Sequence, residues 1–564
     1  MRKPFLSLLI TLCFLCASLG ASAVEYAPSS VLSQGRWVKI RVAQTGIYKL
    51  TFAELQKMGF ANPAAVSVYG YGGWPLDEDF RQPYADDLPQ AAVYKGDNYL
   101  LFYGRGPVKW SYSTSLATFV HENNPYSSYG YYFLSDTSPV KTLTKETSVT
   151  GASLQVDTYD DYFVHEKDQV SVNKSGRELF GESFSLNTGQ TFPFAVPGIT
   201  DDPAKISFRF IAKPTTGQAL VILTAGTQPL LNASIPRSSI DDSYTKALEL
   251  SRTVSWNGAK TPDVQVGITY SRNTNDLAHL DYIRLHAVRT LKMYGPYTFF
   301  RSIASVGNVT RFVLQEASAD VKIWDVTNPV LPVEMETTLN GTECSFTIPA
   351  SNTLREFVAV DISKTLPAPE TVGVVSNQNL HALEQTDMVI LTHPAFMEQA
   401  ERLAALHRSE SGLKVTVVTP EPVYNEFSSG TPDATAYRRL MKMFYDRGKQ
   451  AGTAPRYLLL FGDGTFDNRM ITSEWKNLTN LNLLLTYQSK ESLNMYTYVT
   501  DDYFGFLDDS EGANLSGDKL DIGIGRFPVR TLEEAKIAVN KSIAYIENKT
   551  AGAWKNNISF VADD

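Results

Sequence analysis

The residues best placed for chemistry are acidic, and they follow short apolar runs. Tyr457-Leu458-Leu459-Leu460-Phe461 leads into Gly462-Asp463-Gly464-Thr465-Phe466-Asp467-Asn468-Arg469, and Thr500-Asp501-Asp502 precedes Tyr503-Phe504-Gly505. Ile558-Ser559-Phe560-Val561 leads into Ala562-Asp563-Asp564. Carboxylates crowded at turns suit a hard cation that takes several oxygen ligands. Asp463, Asp467 and Asp502 are therefore a candidate calcium set, with Asp501, Asp508 and Asp509 close by in sequence. Ordinary solvated turn chemistry is the competing reading, because none of these runs matches an EF-hand loop.

A nucleophile is harder to find. Beyond the first residues Cys344 is the only thiol, set in the alternating run Glu343-Cys344-Ser345-Phe346-Thr347-Ile348 with no histidine beside it. Unpaired cysteine in such a run packs as a small hydrophobe. The histidines are His121, His165, His279, His286, His381, His393 and His407, and none belongs to a His-Glu-x-x-His pair that would hold zinc. His393 follows a strand-like run and reads as structural, while His407 suits the negative end of a helix. No Gly-x-Ser-x-Gly elbow and no phosphate loop ending in Gly-Lys-Ser or Gly-Lys-Thr occurs.

The elements that must position these residues change in kind along the chain. From Val24 to about Pro367, short runs rich in Tyr, Phe, Val and Thr alternate with Gly, Pro, Asn and Asp, which predicts all-β modules. Thr51 followed by Glu54 forms a capping box for one short helix there. Composition shifts divide this region into a β-rich domain at 24–158, a β-sandwich at 159–296 and a smaller sandwich at 297–365. A Pro- and Asn-bearing linker, 363–378, follows.

At 380–564 apolar strands alternate with amphipathic helices, which specifies an α/β domain with a parallel sheet covered on both faces. Strands are predicted at Met388–Leu391, Lys414–Val418, Tyr457–Phe461, Leu520–Ile524 and Ile558–Val561. Helices are predicted from Pro394, over 434–447 and over 532–548. A parallel strand takes a crossover partner, so the run ending at Asp564 reads as the first half of a domain incomplete at its C-terminus.

Arg2 and Lys3, an apolar run to Gly20 and Ala21-Ser22-Ala23 read as a signal peptide at 1–23, with the mature chain starting near Val24. No later run approaches the ~18 apolar residues of a spanning helix. With 51 basic and 60 acidic residues, a net charge of −9 and no basic block, nucleic acid is excluded as a partner.

The runs Tyr457–Arg469, Thr500–Gly505 and Asp521-Ile522-Gly523-Ile524-Gly525-Arg526-Phe527-Pro528, with Trp554 and Phe560–Asp564, resemble the gingipain family of cysteine peptidases over about residues 386–564. The β-rich front, including Val68–Gly73 and Leu100–Gly104, resembles that of the type IX secretion sortases of the Bacteroidetes. The resemblance implies a caspase- or gingipain-like sheet and a thiolate activated by a histidine, both expected after Asp564. It offers Asp563 or Asp564 as the acidic helper, and it favours structural calcium. It further implies protein substrates with C-terminal sorting signals, other type IX envelope proteins as partners, and a place in the periplasm or on the outer-membrane surface of a Gram-negative bacterium. Two alternatives stand beside it: a non-catalytic envelope scaffold whose β modules bind partners, and a secreted gingipain-like protease without a sortase role.

Overall fold

The computed structural model describes residues 26–272, 276–478, 483–512, 514–548 and 552–560. The leader at 1–23, Val24, Asp563 and Asp564 lie outside them. Helix α1 (Phe52–Lys57) starts at the expected box: Thr51 Oγ1 accepts from Glu54 N, and the Glu54 carboxylate accepts from Thr51 N at 2.8 Å. Around it, alternating strands form a five-stranded antiparallel sheet whose inner members are Trp37–Val42, Gly130–Ser135 and Ser67–Tyr69. One edge of this sheet is Glu370–Val375, inside the stretch expected to be a linker. Backbone pairing with Trp37–Arg41 makes it a strand although its side chains are mostly exposed.

The middle region is a sandwich of two four-stranded antiparallel sheets. Alternation puts Phe192, Phe194, Val221, Leu223, Val266 and Ile268 of one sheet against Ile206, Phe208, Phe210 and Leu285 of the other. A second pair of sheets closes over Phe300, Phe312, Phe346 and Phe357, whose rings lie 5.2–6.2 Å apart. Two strands from earlier in the chain, Thr144–Glu146 and Leu154–Val156, join these sheets in parallel.

The last third is a four-stranded parallel sheet in the order Val415–Val418, Met388–Thr392, Tyr457–Phe461, Gly523–Phe527. Strand periodicity sends Met388, Ile390, Leu459 and Phe461 toward α2 (Met397–Glu410) and α5 (Leu532–Ile546). Val389, Leu391, Leu458 and Leu460 face the other way, toward α3 (Pro420–Phe427) and α4 (Ala434–Lys449). The fourth strand begins later than the predicted Leu520, because Asp521 is held by a helix and the preceding loop: its carboxylate accepts from Tyr445 Oη at 3.0 Å and Leu507 N at 2.8 Å. The run Ile558-Ser559-Phe560, expected to be a strand, pairs with no strand among the described residues and leaves Ile558 and Phe560 80% and 91% exposed. No described helix is long and apolar enough to cross a membrane.

The β-rich front and the α/β region are joined by buried polar contacts. Ser428, Ser429, Thr431 and Asp433, between α3 and α4, are all buried against residues 70–76. Ser429 Oγ accepts from Tyr71 N (2.9 Å), Thr431 Oγ1 donates to Gly72 O (3.1 Å), and Asp433 accepts from Leu76 N (3.0 Å) while capping α4 through Thr435 N (2.8 Å). Gly70 has φ +113°, and a Cβ there would lie 2.4 Å from Ser429 Oγ, so the close approach requires glycine.

His381 fastens the same junction. Its Nδ1 meets Glu426 at 2.6 Å and its Nε2 meets Asp86 at 3.1 Å, with both the His381 and Glu426 side chains fully buried. Burial alone would lower the imidazole pKa; the bonds to Asp86 and Glu426 overcome that and raise it to about 9. The folded value lies above the ordinary ~6.5, so the stabilisation is complete below that pH and fades as pH rises through about 9. His381→Ala should cost about 3 kcal/mol at neutral pH, because it strands a buried carboxylate. Denaturant unfolding across pH should show the alkaline loss in the native chain and not in the variant.

Candidate functional site

In a parallel sheet the crevice lies beyond the carboxyl ends of the strands. Here those ends carry Thr392-His393, Gly462-Asp463-Gly464 and Phe527-Pro528. His393 Nδ1 accepts from Ala395 N at 3.3 Å and caps the turn Pro394–Phe396. Its N–H donates to Phe461 O at 3.2 Å. Burial lowers its pKa, so the ring is a neutral cap.

The Gly462-Asp463-Gly464 turn slides under residues 483–486. Asp463 O accepts from Leu483 N (3.1 Å) and Leu484 N (3.0 Å), and a Cβ on Gly464 would lie 2.5 Å from Leu484 O. Nothing larger than glycine fits there. Asn468 clasps the same segment through Thr486, donating to its carbonyl and accepting from its N–H, both at 3.0 Å.

The candidate calcium ligands do not converge. Asp463 Oδ2 pairs with Arg530 Nε at 2.5 Å, and its Oδ1 accepts from Gly464 N at 2.9 Å. Asp502 opens the turn Asp502–Gly505, its N–H donating to Thr500 Oγ1 at 3.1 Å. Asp467 is buried, with Oδ2 accepting from Thr472 N at 2.7 Å and Oδ1 without a donor. Their neighbours are taken by protein cations: Asp501 by Arg526, Asp508 by Lys449 and Asp509 by Lys442. Among the described residues no group of three His, Cys, Asp or Glu side chains is disposed to hold a metal. Within the candidate set, among the described residues, Asp467 alone has a buried carboxylate oxygen without a donor.

Arg526 organises the crevice. It forks onto Asp501 (Nε to Oδ2, 2.8 Å; Nη2 to Oδ1, 2.7 Å) and also donates to Gly462 O (2.9 Å) and Leu485 O (3.2 Å). One guanidinium on the edge strand thus ties three loops to the sheet. Arg530 and the cationic partners of Asp508 and Asp509 were not foreseen. Their only sequence signal is the density of carboxylates that need neutralising.

Among the described residues no cysteine and histidine meet here. Cys344 lies in the small sandwich, 2% exposed, its thiol pKa pushed up by burial. His121, His165, His279 and His286 are in the β region; His381 is clamped and His407 ends α2. What the described α/β region supplies is a preorganised set of loops at the strand ends.

Replacing Arg526 by Ala should cost about 3 kcal/mol, because it leaves Asp501 without its partner in a partly buried setting. Hydrogen exchange should quicken at 462–468 and 485–502 and stay unchanged in the 190–290 sandwich. Uniform protection in the variant would contradict this role.

Residues 381–564 match peptidase family C25. Across 94% of its length the chain is similar to the crystal structure of dimeric latent PorU from Porphyromonas gingivalis, with 35% identity and a TM-score of 0.86. The chain spans 51% of that protein. A structure described only as a protease matches at 18% identity over 28% of this chain and 27% of its own, with a TM-score of 0.19. A carbohydrate-binding module, the CBM36-1 domain of a xylanase from the hindgut metagenome of Trinervitermes trinervoides, matches at 13% identity over 22% of this chain and 96% of its own, with a TM-score of 0.16. No curated protein matches. The family model and the similarity to PorU agree: residues 381–564 are a peptidase family C25 domain, and the β-rich region before them shares the fold of PorU.

Proposed function

We propose that this chain is part of a cell-envelope cysteine peptidase of type IX secretion, a sortase that removes C-terminal sorting signals from exported cargo. The observation that carries the reading is the similarity to PorU, which runs through the β modules as well as the C25 domain. A general protease of the gingipain kind would need only the second. In this reading Cys344 is structural, and the thiolate and its histidine come from sequence after Asp564. The burial of Cys344 in an all-β core supports this, since a nucleophilic thiol needs an exposed, electropositive setting. Asp563 or Asp564 would stand near that pair as the acidic helper. The other type IX envelope proteins are the partners it implies.

The test is the state of the cargo. Deleting the gene should leave exported proteins with their C-terminal signals attached, read by intact mass, while Cys344→Ser at the native locus should leave trimming normal. Cargo trimmed without the gene would overturn the sortase reading. Loss of trimming in a normally folded Cys344→Ser protein would overturn the assignment of Cys344.

The proposal includes a structural calcium ion held through Asp467, whose buried Oδ1 lacks a donor. Calcium should raise the melting temperature, a chelator should reverse the gain, and Asp467→Asn should abolish the response. An identical response in Asp467→Asn would exclude this residue as a ligand.

A further inference from the structure

Far from the strand-end crevice, the β modules enclose a cavity of about 800 Å3. That is within the roughly 300–1,000 Å3 of small-molecule sites, and it lies between modules, where such sites concentrate. Its walls come from the end of strand Tyr99–Gly104, strand Val108–Ser113, strand Thr158–Glu166 and the segments around Gln44, Phe299 and Leu354. The peptidase reading makes no use of it.

Its lining has three properties. Aromatic rings dominate: Trp110 stacks on Tyr162 at 4.2 Å, with Tyr103 and Phe299 5.9 Å apart, and Tyr112 adds a further wall. Charge is cancelled within the wall: Arg301 pairs with Glu356 (2.6 Å) and Asp161 (3.4 Å), lies over the Tyr162 ring, and leaves no counter-charge for a ligand. Polar tips line it: Tyr103, Tyr112 and Tyr162 each bring a phenol, and among the described residues no hydrogen bond engages them. At the mouth stand the exposed side chains of Gln44 and Asn352.

We infer that this cavity is a binding site for a neutral oligosaccharide of two or three sugar units. A pyranose presents an apolar C–H face to a flat ring and hydroxyls at its edge, which matches aromatic walls bearing phenols and amides. A purely hydrocarbon ligand would leave those phenols unpaired. An anionic or cationic ligand would enter a wall whose charges are already matched.

Tryptophan fluorescence of the full chain tests this, with cellotriose, maltotriose and mannotriose as neutral probes, trigalacturonic acid as the charged one, and a capped Trp-Leu-Phe tripeptide as the peptide one. At least one neutral trisaccharide should give a saturable change. Trp110→Ala should weaken it by about tenfold or more, as loss of a central aromatic anchor does. Tyr112→Phe and Asn352→Ala, each removing only polar atoms, should weaken it severalfold with melting temperatures unchanged, so the inference does not depend on Trp110→Ala folding. Binding only of the acid, binding only of the tripeptide, no binding at all, or saccharide binding unaffected by Tyr112→Phe and Asn352→Ala would each overturn it.

Discussion

The architecture depends on burying a polar loop. Ser428, Ser429, Thr431 and Asp433 of the C25 domain are buried against the β-rich front, largely out of reach of water. Each such group left unpaired would cost about 1–3 kcal/mol, so the loop can stay only if every partner arrives together. Ser429 accepts from Tyr71 and donates to Tyr131 O, Thr431 donates to Gly72 and accepts from Tyr131 N, and Asp433 is shared between Leu76 and the first turn of α4. Burial still raises the Asp433 pKa to about 6, despite those donors. The junction is therefore specific rather than greasy, because a slip in register would strand these groups.

The same junction explains α4. Tyr437, Leu440, Met441 and Phe444 were legible as an apolar face, since helical spacing shows which residues meet the sheet. That Arg438, Arg439 and Lys442 are buried too was not legible, because periodicity marks them as solvent-facing. Residues 78–86 cover them. Arg438 donates to Glu78 O and Phe506 O (both 2.6 Å) and lies 3.9 Å from the Phe80 ring centre, and Arg439 lies over Tyr84. The short helix α3 and the strand Glu370–Val375 escaped notice for a related reason. Each is fixed by a partner distant in sequence, Glu370–Val375 by Trp37–Arg41 and α3 by its buried contacts at Glu426 and Asn425.

The strand-end site was legible in position but not in chemistry. Fully apolar strands ending in Gly-Asp-Gly locate the crevice without a structure. Which cation meets each carboxylate depends on loops that sequence spacing does not order. Arg530 is 67 positions from Asp463, and Arg526 is 25 from Asp501. The fold places guanidinium and ammonium groups against most of the carboxylates where a metal was expected. Arginine suits this task, as its planar fork satisfies a carboxylate and neighbouring carbonyls at once.

These ties make the crevice loops a shared property of three modules. Arg177 of the central sandwich donates to Gln488 O (2.9 Å) in the C25 domain and pairs with Glu78 (2.7 Å) of the front module. Ser473 N donates to Gln169 O (2.8 Å), and Lys246 N to Leu493 O (2.8 Å). The 487–494 segment is thus clamped by the β modules at one end, while Arg526 holds Leu485 O and Asp501 to the sheet at the other. Loops secured from both sides keep their geometry with little reorganisation. A β module that moved would carry Arg177 and Gln169 away from those loops. The β modules thus help to fix the strand-end loops of the C25 domain, and the similarity to PorU likewise extends through them as well as that domain.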